Sequence, residues 1–282
     1  MASSNKYRIT SGMGRHLDLR YKSNRYAIVA APLAGLGTLF WRLSTSGSDP
    51  WFWAFRVSAG VFLAWALSRE LDPDEPASAL VAPLVVLPFL WLGPPSIASS
   101  GAVLVASRIL VRSTGLSPSW FDGVLLVGGS AYLGARPETW PALGALIVVV
   151  FADRLMYPTG PDRSFYTGVL MCGAAVTGAI VWADVAARES PTVGEWVGAA
   201  VALLGVAAAV AMVRPPTARG DFRKEQLAET RVLAARILVG ATLIAGIFYP
   251  GGIIIPSLSP LWAGVLGIPV ASWARRRVLT PM

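Results

Sequence analysis

The 282-residue chain has 14% charged and 54% hydrophobic side chains and a mean hydropathy of +0.57. A soluble domain carries charge at roughly a quarter of its positions, so water is excluded as the main solvent. The formal charge of +8 argues for membrane orientation rather than nucleic acid, because the basic residues are scattered at the ends of apolar runs and form no continuous patch.

In chain order, residues 1–25 form a polar, basic tail that is too sparsely apolar for a secretory signal and is expected to be retained on the cytoplasmic side. Residues 26–282 are expected to form a single transmembrane domain. Ten apolar segments follow one another at 26–42, 51–68, 78–94, 97–111, 120–135, 139–153, 165–183, 195–213, 233–249 and 253–274. The expected fold is an all-α polytopic helical bundle of about ten spans, or eight if 97–135 is a re-entrant pair. A crossing takes about 20 residues at 1.5 Å each, which makes the segments at 97–111, 120–135 and 139–153 short.

Lys and Arg resist translocation, which fixes an orientation. With the N-terminus inside, only Arg42, Arg56, Arg136 and Arg188 of the 24 basic residues fall outside, so both termini are expected to be cytoplasmic at a plasma (inner) membrane. Tryptophans such as Trp51, Trp53, Trp140 and Trp196 near segment ends agree with these boundaries. The one long loop, 214–232, contains Pro215 and Pro216, which stop a helix, and its stretch 221–231 is able to begin another. In the last segment Pro250, Gly251, Gly252, Pro256, Pro260 and Pro269 allow either a broken helix or one that starts late or kinks.

Much chemistry is excluded by what is missing. His16, in the tail, is the only histidine, and Cys172 is the only cysteine, so histidine metal sites within the spans and intramolecular disulfides are ruled out. No nucleotide-loop or nucleophile-elbow pattern occurs. The spans offer mainly hydroxyls to a solute, a poor exchange for the hydration of a sugar or amino acid. An apolar or lipidic solute is therefore the expected cargo of a transporter. Arg56, Arg108 and Pro256 are candidates for its pathway.

The densest charge is SRELDPDEP at 68–76. Two carboxylates one residue apart, Asp72 and Asp74, are able to share Mg²⁺, which commonly bridges to phosphate oxygens. With Asp153, and with Arg154 or Arg163 to clamp phosphate, they form the candidate catalytic set of a Mg²⁺-dependent enzyme acting on a lipid or polyprenyl phosphate. The opposing reading is a solvated acidic turn whose prolines end a helix. A third expectation is a non-catalytic subunit of a membrane complex, with another membrane protein or a second copy as partner. Anionic lipid is the expected partner of the basic loops, each Lys or Arg near the surface contributing on the order of 1 kcal/mol. No cofactor beyond Mg²⁺ is implied.

Ten spans in under 300 residues with both ends inside resembles the topology of the drug/metabolite transporters, and FRVSAGVFLAWAL at 55–67 is loosely similar to their second helix. The short middle spans and the charged turn at 68–76 depart from that pattern.

Overall fold

A computed structural model describes residues 13–14, 17–90, 92–116, 120–156, 193–221, 225–248 and 256–279. Among them the chain is all-helical, with no named strand and a single isolated bridge between Arg219 and Gln226. The α-helices are α1 (Lys22–Ser44), α2 (Pro50–Leu71), α3 (Pro76–Leu90), α4 (Ile97–Val111), α5 (Trp120–Gly134), α6 (Trp140–Met156), α7 (Val193–Ala211), α8 (Glu229–Ile247) and α9 (Ser259–Leu279). The apolar segment at 165–183 lies outside the described residues. Each of the other nine segments overlaps one of these helices.

Three of the helices, α1, α2 and α8, are long and apolar enough to cross a membrane. The shorter α3, α4 and α5 have 15 residues each, a rise of about 22 Å. The bundle is apolar on the outside as well as within, and on α1 and α7 the size distribution is inverted relative to a water-soluble protein. On α1 the buried positions are Asn24, Ala27, Ala31, Gly35 and Leu39, while Val29, Leu33, Leu36 and Phe40 face outward. On α7 the pattern repeats, with Ala199, Ala202 and Ala209 inside and Val197, Val201, Leu203 and Leu204 outside. Water drives large side chains inward, whereas in lipid small residues turn inward so that helix backbones can approach. The outward face is compatible with a membrane location.

The close approach is visible where α1 crosses α2. A Cβ on Gly35 would stand 2.9 Å from the carbonyl oxygen of Ala54 and 3.0 Å from Ser58 Cβ, so no larger residue fits. A Cβ on Gly60 of α2 would meet Pro95 Cγ at 2.6 Å. The central cluster joins α2, α4, α6, α8 and α9 through Leu67, Leu71, Val103, Leu110, Val149, Val239, Leu243 and Leu261. Phe89 of α3 stacks on Trp262 of α9, with ring centroids 5.9 Å apart.

Helices α1, α3 and α8 run opposite to α2, α4, α6, α7 and α9, and both ends of the bundle can be followed through hydrogen bonds. At one end, Arg69 near the end of α2 donates to Asn24 in the first turn of α1, and Arg275 near the end of α9 pairs with Glu75 before α3. The start of α1 and the end of α9 thus lie at the same face. At the other end, Arg56 Nε donates to the Pro95 carbonyl at 2.8 Å, and the Ser96 amide donates to the Ser257 carbonyl at 2.8 Å.

Two expectations for the chain's irregular stretches resolve in particular ways. Pro250, Gly251 and Gly252 lie outside the described residues; beyond them the last helix starts at Ser259, after Pro256, and runs without interruption through Pro269. Among its described residues the loop after α7 forms no helix until Glu229. Instead it folds back on itself, with the Gly220 amide donating to the Glu225 carbonyl and the Leu227 amide to the Ala218 carbonyl.

Candidate functional site

Charged side chains gather at the end of the bundle where α2, α4, α6, α7 and α9 finish and α1, α3 and α8 begin. An arginine placed inside an apolar segment must find an acceptor, since an isolated charge away from water costs several kcal/mol. Each one here does. Arg108 Nε of α4 donates to Glu70 Oε1 of α2 at 3.1 Å, where Glu70 is 1% exposed, and Arg108 Nη1 donates to the Met13 carbonyl. Arg112 forms a two-pronged pair with Asp153, both contacts at 3.1 Å. Asp153 Oδ1, which takes the Arg112 Nε bond, also accepts from Arg231 Nη1 at 3.1 Å, and Arg231 Nη1 donates to the Leu110 carbonyl at 2.8 Å. Asp153 therefore ties α4, α6 and α8 together.

The second knot is built on Arg236, about two turns into α8 and 3% exposed. It donates to the Leu71 carbonyl at 2.7 Å, to the Ala209 carbonyl, and to Asp72 Oδ1 at 3.3 Å. These bonds use the open carbonyls at the ends of α2 and α7, which have no partner within their own helices. Burial pushes the Asp72 carboxyl from its ordinary 3.8 up to about 6; Arg236 and the Ser78 hydroxyl pull it back down, while Glu75 and Asp74 add to the rise.

A cavity of about 590 Å³ opens beside this knot. Its walls are the α2–α3 turn (Asp72, Pro73, Asp74, Glu75), the start of the long loop (Arg214, Pro215, Pro216, Thr217) and the last turns of α9 (Ser272, Arg275, Arg276), over Met212, Val232 and Ile268. Asp74 holds the walls together, accepting from the amides of Thr217 and Ala218, both at 2.7 Å, and from the Thr217 hydroxyl at 3.2 Å.

The sequence candidates divide accordingly. Asp72 and Asp74 line the cavity, whereas Asp153 does not and is held between Arg112 and Arg231. Arg154 lies in α6 with its side chain outside the described residues, as is all of Arg163. Among the described residues no three His, Cys, Asp or Glu side chains come together to hold a metal ion. The two carboxylates of the turn point to separate tasks, one toward Arg236 and one toward the loop backbone. A Mg²⁺ ion held by this pair would draw most of its six ligands from water or phosphate, as Mg²⁺ commonly does.

Of the pathway candidates, Arg56 and Pro256 meet at the opposite end. Arg56 grips the α3–α4 loop at Pro95, and Pro256 sits under Gly93 of the same loop, whose position leaves 3.1 Å for a Cβ. Arg108 lies at the charged end, paired with Glu70. The three described arginines of the opposite end, Arg42, Arg56 and Arg136, each lie over an aromatic ring, at 4.2 Å from Trp53, 5.2 Å from Phe52 and 4.6 Å from Tyr132. Such rings accept a cation on their face and suit the water–lipid boundary.

The sequence leaves Arg236, like Arg108, open between snorkelling to the interface and lining a cavity, and offers the 214–236 loop, with Arg214 and Arg231, and Arg275 and Arg276 only as cations for anionic lipid. The signal available was that each Arg inside an apolar run needs a carboxylate at its own depth, and Glu70, Asp72 and Asp153 are the carboxylates at those segment ends. Compared with family models, curated proteins and solved structures, the chain matches none, so its likeness to the drug/metabolite transporters rests on span count and one segment.

Proposed function

We propose that the chain is a ten-span protein of the plasma (inner) membrane, with both termini cytoplasmic, and that it binds and translocates an apolar or lipidic solute. The cavity between the α2–α3 turn, the 214–217 stretch and α9 carries this reading. Its apolar base of Met212, Val232 and Ile268 under a charged rim suits a molecule with an apolar body and a polar end. The inverted packing of α1 and α7 supports a lipid surround, and the arginine excess at the cavity end supports placing that end in the cytoplasm. The opposite knot, where Arg56 and Pro256 meet the α3–α4 loop, is the candidate second gate.

Reconstitution tests the reading. Liposomes containing the purified chain and a short-chain fluorescent phospholipid should lose inner-leaflet protection from an external quencher faster than protein-free liposomes, and Arg56→Ala and Pro256→Ala should slow that exchange. Equal rates with and without protein would remove translocation.

A second reading is a Mg²⁺-dependent enzyme acting on a lipid or polyprenyl phosphate, favoured by the placement of Asp72 and Asp74 on the wall of a cavity that also carries guanidinium groups. It requires Mg²⁺-dependent turnover that Asp72→Asn and Asp74→Asn abolish. The remaining reading, a non-catalytic subunit, predicts co-purification of a second membrane protein in mild detergent.

A further inference from the structure

The cavity's charges are unequally matched. Asp72 faces Arg236, Glu75 faces Arg275, and Asp74 is spent on the amides of Thr217 and Ala218. Four guanidinium groups line the space against three carboxylates, and Arg214 makes no hydrogen bond or ion pair among the described residues. Pro215 and Pro216 restrict the backbone that follows Arg214, and Asp74 holds Thr217, three residues on. The result is an exposed cation on the rim of a cavity whose base is apolar.

We propose that Arg214, with Arg276 of the same lining, binds the phosphate group of an amphiphile whose first methylenes lie on Met212, Val232 and Ile268. Guanidinium is the side chain best suited to phosphate, giving paired, charge-assisted hydrogen bonds. A volume of about 590 Å³ accommodates a glycerophosphate headgroup with the start of its chains, within the usual range of ligand pockets. The proposal deepens the lipidic-solute reading and rests on the same cavity, but concerns binding alone.

The test is equilibrium binding to the full chain in a neutral detergent with three probes: dioctanoyl phosphatidic acid, dioctanoylglycerol and inorganic phosphate. Saturable binding of the phosphatidic acid is expected, at least about tenfold tighter than the diacylglycerol, with Arg214→Gln and Arg276→Gln each weakening it by about three- to tenfold. Met212→Ser should weaken the lipid and leave inorganic phosphate unchanged. If inorganic phosphate binds as tightly as the lipid and loses affinity in the arginine variants, the phosphate site stands and its source is the free ion, overturning the amphiphile. Absence of saturable binding, or binding untouched by both arginine variants in chains whose melting temperature is unchanged, overturns the site. Binding without lipid exchange in liposomes would retain this site and remove translocation, and exchange without binding would do the reverse.

Discussion

At the residue scale, the charged end is a set of ion pairs whose removal is costly for different reasons. Asp153 neutralises two arginines at once, and Arg112 and Arg231 are themselves mostly buried. Breaking a buried pair from one side leaves an uncompensated charge, at about 3–5 kcal/mol. Asp153→Asn should therefore lower the melting temperature in detergent markedly, while Glu225→Gln, at an exposed position, should change stability by less than about 0.5 kcal/mol. Equal shifts would show that Asp153 is not a tie between helices. Asp72 behaves differently, since burial raises its carboxyl to about 6 against an unfolded value of about 3.9. A raised folded value means that the stabilising contribution is complete below about pH 4, where both states hold the proton, and is lost as pH rises through about 6. The melting temperature of the native chain should consequently fall between pH 4.5 and 7 relative to Asp72→Asn, which carries no titrating group there; a constant difference would contradict the raised carboxyl.

At the scale of elements, helix contact depends on small residues at the crossing points. Gly35 lies against the Ala54 carbonyl, a backbone atom that cannot rotate aside. Gly35→Ile should force α1 away from α2 at a cost of about 1–3 kcal/mol, read as a lower melting temperature, whereas the same change at Gly37, which faces open space, should be nearly neutral. Segment existence was legible from sequence because apolar runs of this length have few alternatives, and the helix limits fall within a few residues of the runs. The late start of α9 was left open, since prolines at 256, 260 and 269 are compatible with a break, a kink or a delayed first turn. Packing decides the matter. Pro260 sits in the first turn, where its missing N–H costs nothing, and Pro269 is tolerated inside a helix packed on α2 and α3.

For the whole molecule, the proposed orientation makes a direct prediction. In a Cys172→Ala background, Ser48→Cys in the α1–α2 turn should react with an impermeant thiol reagent on intact cells, and Arg219→Cys in the long loop should react only after the membrane is opened; the reverse pattern would invert the topology. That the two positions lie at opposite ends of the bundle follows from the alternation of the helices. By itself the sequence determined the helical class, the run boundaries and the clustering of cations on alternate turns, because hydropathy and charge are local properties that survive without coordinates. It also named Asp72, Asp74, Asp153, Arg56 and Arg108 as residues with something to do. Only the tertiary structure decided which charges meet. Asp153 goes to Arg112 and Arg231 rather than to Asp72 and Asp74, and Arg236 reaches the ends of α2 and α7, because pairing across 41, 78 or 165 residues depends on which helices are neighbours and on how far each side chain lies along its axis.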